Sequence, residues 1–236
     1  MMDPTRLGVG IIGAGRVGPV LAAALAGAGH HLVGMSKPSD GDLERVTSVV
    51  PGITFLDVPD IIERSELVVL ALPDSDLSGF VSGVAESGGW QSGQIVAHTS
   101  IRHDLGVLMP ARDSGAIPIT LHPLMEFTGT SVDLVRMREA WCVVSAPAVA
   151  TPIAEALAVE MGMEPLVIAE ALREHVASAI ALATSFSATT IYEAASQLRS
   201  AGIPNPGVVL STLVRSSVEN ALREVAGNAE DAGATE

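Results

Sequence analysis

The sequence predicts an α/β protein: a doubly wound parallel sheet followed by a smaller all-helical domain. Three observations carry that prediction. Residues 7–29 read as a short apolar strand, a glycine turn and a strong helix former, with Gly13, Gly15 and Gly18 spaced G-x-G-x-x-G at the junction. Apolar runs then alternate with helical stretches as far as Ile168. From Glu170 to Ser200 there is no glycine or proline, and apolar residues recur at helical spacing through Leu172, Val176, Ala179, Ile180, Ala183 and Phe186.

Each glycine of the turn has a physical task. Gly13 permits the tight bend, Gly15 lacks a Cβ that would hold a pyrophosphate off the backbone, and Gly18 lets the new helix lie close to the sheet. The free N–H groups of that helix's first turn, with the positive end of its dipole, would face phosphate. Gly13, Gly15, Arg16, Val17 and Gly18 are therefore the expected start of a dinucleotide site. Gly27 and Gly29 stop the helix.

Composition narrows the setting. The net charge is −14, which argues against nucleic acid or an anionic membrane as partner. Only 17% of residues are charged, against roughly 25% in typical soluble domains. A chain so poor in charge is expected to hide further surface in a homodimer. The single cysteine, Cys142, rules out a disulfide framework within the chain and suits a reducing, cytoplasmic setting. No metal-ligand cluster is expected, since none of the six histidines is closely spaced with Cys, Asp or Glu on a regular element. Residues 7–29 are read neither as a signal peptide nor as a membrane anchor, because Arg16 and the glycines interrupt the apolar run.

Taken in order, His31 to Ser36 is the second strand, and its end bears on the cofactor. An acidic residue there would bind the adenosine ribose 2′-OH and select NAD. Here Ser36 and Lys37 follow instead, with no acid until Asp40, and Lys37 is the only lysine of the chain. NADP is expected in preference to NAD. A short helix follows over 42–50, broken by Pro51-Gly52, then a small strand over 53–56 and a helix opened by Asp57 and Pro59. Leu67 to Leu72 is a continuous apolar run, hence a central strand. Leu72, Pro73 and Asp74 turn at its carboxyl end, where ligands collect in open parallel sheets, so that turn is expected to run over the cofactor.

Gln94 to His98 is the next strand, with Thr99 and Ser100 at its end, and a helix over 103–112. Ala116 to Leu121 is another strand, although Pro118 suits an edge better than a centre. Trp141–Ser145, Thr151–Met161 and Pro165–Ile168 complete the alternation as strand, helix and strand. The helix from Glu170 would span about 30 residues, on the order of 45 Å, and a last helix covers 208–225. The expected division is 1–169 for dinucleotide binding, 170–228 for a helical dimerisation and substrate domain, and 229–236 for a disordered tail.

This layout resembles the superfamily that joins a Rossmann domain to a 6-phosphogluconate-dehydrogenase-like helical domain, with prephenate dehydrogenase, pyrroline-carboxylate reductase and ketopantoate reductase as kin. More narrowly it is similar to the bacterial Rossmann-like oxidoreductases. The residues that carry the resemblance are Gly13-Ala-Gly-Arg-Val-Gly18, Leu72-Pro-Asp74, His98-Thr-Ser100, Leu121-His-Pro123, Phe127-Thr-Gly129 and His175. Ile101 stands where the family usually has glycine, and Ala183 then Thr184 where it usually has asparagine. Both departures fall where substrate would bind.

What the resemblance implies is hydride transfer between NADPH and a small keto or hydroxy acid, ketopantoate-like at the most specific. Several relatives use a lysine on the long helix as proton donor, and this chain has none there. Histidine is the remaining acid with a pKa near working pH. The candidates are His122 at a strand end, His175 on the long helix and His98 at the strand end nearest the nicotinamide, and each could equally be a satisfied structural histidine. Thr99 is expected against the nicotinamide and Ser100 against the substrate, unless they cap the helix that follows. Arg173 is expected to hold the substrate carboxylate, with Arg102 as alternative. The rival to an enzyme is a dinucleotide-binding sensor or scaffold without catalysis.

Overall fold

The sheet grows around a strand whose four side chains are all apolar and buried, Leu67–Leu70. Leu67 and Val69 enter one core cluster, Val68 and Leu70 another. Alternation of side chains between two covered faces produces that division. The computed structural model describes residues 6–233. In chain order its strands are β1 (Gly8–Ile12), β2 (His31–Ser36), β3 (Phe55–Leu56), β4 (Leu67–Leu70), β5 (Ile95–His98), β6 (Ile117–Pro123), β7 (Trp141–Ser145) and β8 (Glu164–Val167). They form one sheet in the order β3-β2-β1-β4-β5-β6-β7-β8.

The first six strands are parallel, as expected, but β7 runs antiparallel to β6, and β8 follows β7. The chain re-enters the sheet at the end where it left. Pro123 faces Cys142, and the Leu124 N–H continues the ladder to the Trp141 carbonyl at 2.7 Å. The connection over 124–140 begins and ends at the same end of the sheet, so the direction reverses. Pro118 is accommodated for a related reason: β7 joins β6 only from Thr120 onward. At Pro118 the strand is paired with β5 alone, and the missing N–H costs no ladder bond there.

Helices α1 (Gly18–Gly27), α2 (Leu43–Val49), α3 (Val58–Arg64), α4 (Asp74–Glu86), α5 (Met109–Asp113), α6 (Val132–Arg136) and α7 (Thr151–Glu160) connect the strands. His30 behaves as a structural histidine. Its Nδ1 accepts the Leu7 N–H at 3.1 Å and its Nε2 lies 2.8 Å from Glu160, joining the foot of β1 to α7.

The chain divides into two compact units, Met1–Ala177 and Ser178–Glu236. The expected 30-residue helix is one continuous helical run, but not a uniform one. A 3₁₀ turn at Glu170–Leu172 leads into α8 (Arg173–Ala181), a π turn at Leu182–Phe186 and α9 (Ser187–Ser200). Within the second unit, Gly202 and Asn205 take positive φ and turn the chain into α10 (Pro206–Gly233), which packs on α9. Leu210 and Ala195 are buried in that unit. Leu182, Phe186, Tyr192, Leu213 and Leu222 are exposed by more than half. α10 runs through residues 229–233 of the expected disordered tail, and residues 234–236 lie outside the described residues. No helix among the described residues is long and apolar enough to cross a membrane.

Candidate dinucleotide site

The glycine turn stands at the carboxyl end of β1. Gly13 has φ +112°, and a Cβ there would run into the Ala71 carbonyl. A Cβ on Gly18 would run into the Gly13 carbonyl. Nothing lies within 4 Å of the position a Gly15 Cβ would take, so at that residue the turn faces open space. α1 starts directly afterwards, with no side chain capping its N-terminus and no acid in its first turn. Open backbone at Gly15 beside an uncapped helix N-terminus fits the pyrophosphate of a dinucleotide.

At the end of β2, the Ser36 hydroxyl accepts the Gly13 N–H at 2.9 Å. Ser36 thus ties β2 to the glycine turn. Lys37 is exposed and has no hydrogen-bond partner among the described residues. Beyond it, the Ser39 hydroxyl donates to Asp42 at 2.6 Å. That bond, and after it the Arg45 guanidinium, hold the Asp42 carboxyl below its usual range.

A cleft of about 190 Å³ opens beside the turn, lined by Arg16, Val17, Thr99, His122, Pro123, Met125, Glu126 and Phe127. A cavity of roughly 150 Å³ accommodates benzene, so this one has room for a single ring-sized group. It brings together Arg16, Val17, Thr99 and His122 from the expected site. Met125, Glu126 and Phe127 join them from the segment after β6.

His122 is the histidine that reaches this cleft. Its Nδ1 lies 2.6 Å from the Thr99 carbonyl, and a carbonyl only accepts, so Nδ1 carries the proton. Burial lowers its pKa, opposed by that hydrogen bond, with the nearby Arg173 charge lowering it further. His175 is exposed on α8 and does not line the cleft.

His98 corrects the expectation placed on it. It is 0% exposed, its Nε2 bonds the Asp104 carbonyl at 3.2 Å, and burial pushes its pKa down to about 4. A neutral histidine sealed in the core can neither reach substrate nor act as an acid at neutral pH. Arg173 is likewise not an open carboxylate site. It is 4% exposed and donates to Thr120 at 3.2 Å, Ser145 at 2.7 Å and Glu170 at 2.9 Å. The alternative, Arg102, is exposed and pairs with Asp74 at 3.5 Å. Ser100 is buried, and its hydroxyl accepts the N–H groups of Arg102 and His103, so it caps the turn. The same turn holds the Leu72-Pro73-Asp74 segment, through His103 Nε2 at 2.9 Å from the Asp74 carbonyl.

Two residues that sequence reasoning missed complete the site's frame. Asp133, fully buried, accepts the N–H groups of Thr128 at 2.9 Å, Gly129 at 2.8 Å and Thr130 at 3.4 Å, fixing the turn after Phe127. Arg45 donates to the carbonyls of Ala14, Gly15 and Gly129. On the sequence, Arg45 is an ordinary helix arginine, and nothing marks it out. Asp133 carried a weak signal in the Thr-Gly-Thr turn four residues before it. Among the described residues no group of His, Cys, Asp and Glu could hold a metal.

Residues 1–123 match the Rossmann-like domain family, more than half of the chain. The chain belongs to that family. Residues 140–230 match a domain of unknown function, DUF2520. No curated protein matches. Among solved structures it resembles a Bacteroides fragilis protein provisionally described as an NADP oxidoreductase. They share 18% identity over 91% of this chain and 80% of that one, with a TM-score of 0.76. An imine reductase from Streptomyces aurantiacus shares 17% identity over 97% and 79% of the two chains, with a TM-score of 0.69. A pyrroline-5-carboxylate reductase from Coxiella burnetii shares 12% over 94% and 81%, with a TM-score of 0.64. At these identities the shared property is the fold.

Proposed function

We propose that this Rossmann-like protein is an NADP-dependent oxidoreductase that transfers a hydride between NADPH and a small keto or hydroxy acid. The observation that carries the reading is the open backbone at Gly15 beside the uncapped start of α1, with the His122 cleft next to it. Oxidoreductases among the proteins of like fold support the general kind of reaction. Gly13, Gly15, Arg16, Val17 and Gly18 would hold the pyrophosphate, and Lys37, exposed just beyond β2, would favour a 2′-phosphate over a free hydroxyl. When bound, the reduced nicotinamide supplies a hydride.

The side chains supply the rest. With Nδ1–H committed to Thr99, the His122 ring exchanges protons through Nε2. Its protonated form donates to a developing alkoxide, and its neutral form accepts the proton of an alcohol in the reverse direction. Arg16 is the cation that lines the cleft and replaces Arg173 as the group to meet a carboxylate. We further propose a homodimer through the exposed apolar residues of the second unit, working in the cytoplasm.

A second reading has one observation in its favour. Ser100 and Arg173, both expected to bind substrate, are buried in structural bonds, although Arg173 Nη1 has no partner among the described residues. That favours a dinucleotide-binding protein without turnover. Following NADPH oxidation across a panel of 2-keto acids separates the two. Steady turnover with any member supports the enzyme, and tight NADPH binding without turnover supports the scaffold.

A further inference from the structure

Arg45 leans from α2 across the back of the glycine turn, and all five of its N–H groups have acceptors. Nε donates to Asp42 at 3.3 Å. Nη2 donates to Asp42 at 2.9 Å and to the Ala14 carbonyl at 3.3 Å. Nη1 donates to the Gly15 carbonyl at 3.1 Å and to the Gly129 carbonyl at 3.5 Å. No donor remains for a ligand, so the arginine's effect must pass through the backbone it grips.

That effect follows from amide geometry. The described peptide bonds are all trans, and in a trans peptide the C=O and the next N–H point opposite ways. Drawing the Ala14 and Gly15 carbonyls toward Arg45 therefore turns the N–H groups of Gly15 and Arg16 away from it. Neither N–H has an acceptor among the described residues. Two successive amides facing the same way form a concavity that binds anions. The third carbonyl brings in the segment after β6. Gly129 has φ +77°, and a Cβ there would lie 2.7 Å from Arg45 Nη1 and 3.1 Å from Arg16 Cα. Asp133 fixes this turn from its other side.

We infer that Arg45 is a positioning residue that clamps the Ala14 and Gly15 carbonyls, pre-setting the Gly15 and Arg16 amides for a pyrophosphate and fastening the 124–130 segment to the same turn. This rests on the dinucleotide reading above and extends it to a residue that never touches the ligand. The clamp serves the pyrophosphate, which NADH and NADPH share. It does not serve the 2′-phosphate, which NADPH alone carries.

The test is calorimetric titration of NADPH and NADH into the wild type, Arg45→Met and Arg45→Lys, with amide NMR spectra of each apo protein. Losing the preset of two charge-assisted hydrogen bonds is expected to weaken binding roughly ten- to hundredfold. The loss should be equal for both dinucleotides in Arg45→Met. Arg45→Lys, which restores charge but not the planar fork, should stay impaired. In the apo spectra the Gly15, Arg16 and Gly129 amides should shift together. A loss confined to NADPH would make Arg45 a 2′-phosphate ligand and overturn the clamp, and full recovery in Arg45→Lys would reduce its role to charge and overturn it too. If the wild type binds neither dinucleotide, the oxidoreductase reading falls. The apo spectra still decide the clamp, and unmoved Gly15 and Arg16 amides would contradict it.

Discussion

His122 donates its Nδ1 proton to the Thr99 carbonyl across 2.6 Å, a bond between the ends of two adjacent strands. It fixes the ring's tautomer and leaves Nε2 as the nitrogen that can exchange protons with a ligand. His122→Asn keeps a donor for Thr99 but removes the exchangeable site. It is expected to cut turnover by roughly 10²–10⁴ while leaving NADPH affinity within a few fold. Because burial lowers the His122 pKa, the reductive kcat/KM should fall as pH rises through a value below 6.5. The oxidative rate should rise over the same range. Full activity in the variant would exclude His122 as the acid.

Gly15→Ala separates binding from folding. The added Cβ meets nothing within 4 Å, so thermal stability should stay close to that of the wild type. The Cβ instead occupies the space where the pyrophosphate approaches, and dinucleotide binding should drop at least tenfold, about 1.4 kcal/mol. Unchanged affinity would place the ligand elsewhere.

His98 makes stability depend on pH. Its folded pKa is depressed to about 4 from 6.5, so the unfolded chain binds the proton more readily. The contribution is fully present above pH 6.5 and is lost as pH falls toward 4, by up to about 3 kcal/mol at roughly 1.4 kcal/mol per unit. Urea midpoints measured across that range should fall, and His98→Gln should flatten the slope. A variant with the same slope would assign the acid sensitivity to other groups.

The second unit leaves Leu213 at 65% and Leu222 at 64% exposed on α10. Sedimentation equilibrium at micromolar concentration should give twice the 24.2 kDa chain mass. Leu222→Glu, at an exposed position, should shift the equilibrium toward monomer. A wild-type monomer would contradict the proposed dimer.

The strands were legible where the chain repeats a single local rule. Leu67–Leu70 is apolar throughout because both faces of β4 are covered, and the glycine spacing declares the turn after β1. Pro118 announced a partly unpaired stretch of β6. The reversal of β7 was not legible, since an antiparallel return uses the same apolar residues as a parallel one. The site was read less well, for a physical reason. Arg45, Arg173 and His98 owe their roles to partners 28 or more residues away or to burial, and neither has a local signature. His98 closes an apolar strand and resembles an active-site histidine until the core around it is seen.

The central claim is that the glycine turn binds NADP(H). Fluorescence titration of the wild type with NADPH and with NADH tests it most directly, with Lys37→Ala alongside. The expected result is saturable binding of both, tighter for NADPH. A charge-assisted phosphate contact of about 1.5–3 kcal/mol should be lost in Lys37→Ala, bringing NADPH down to the affinity of NADH. Equal affinities in the wild type would contradict the NADP assignment, and no binding of either would contradict the function proposed.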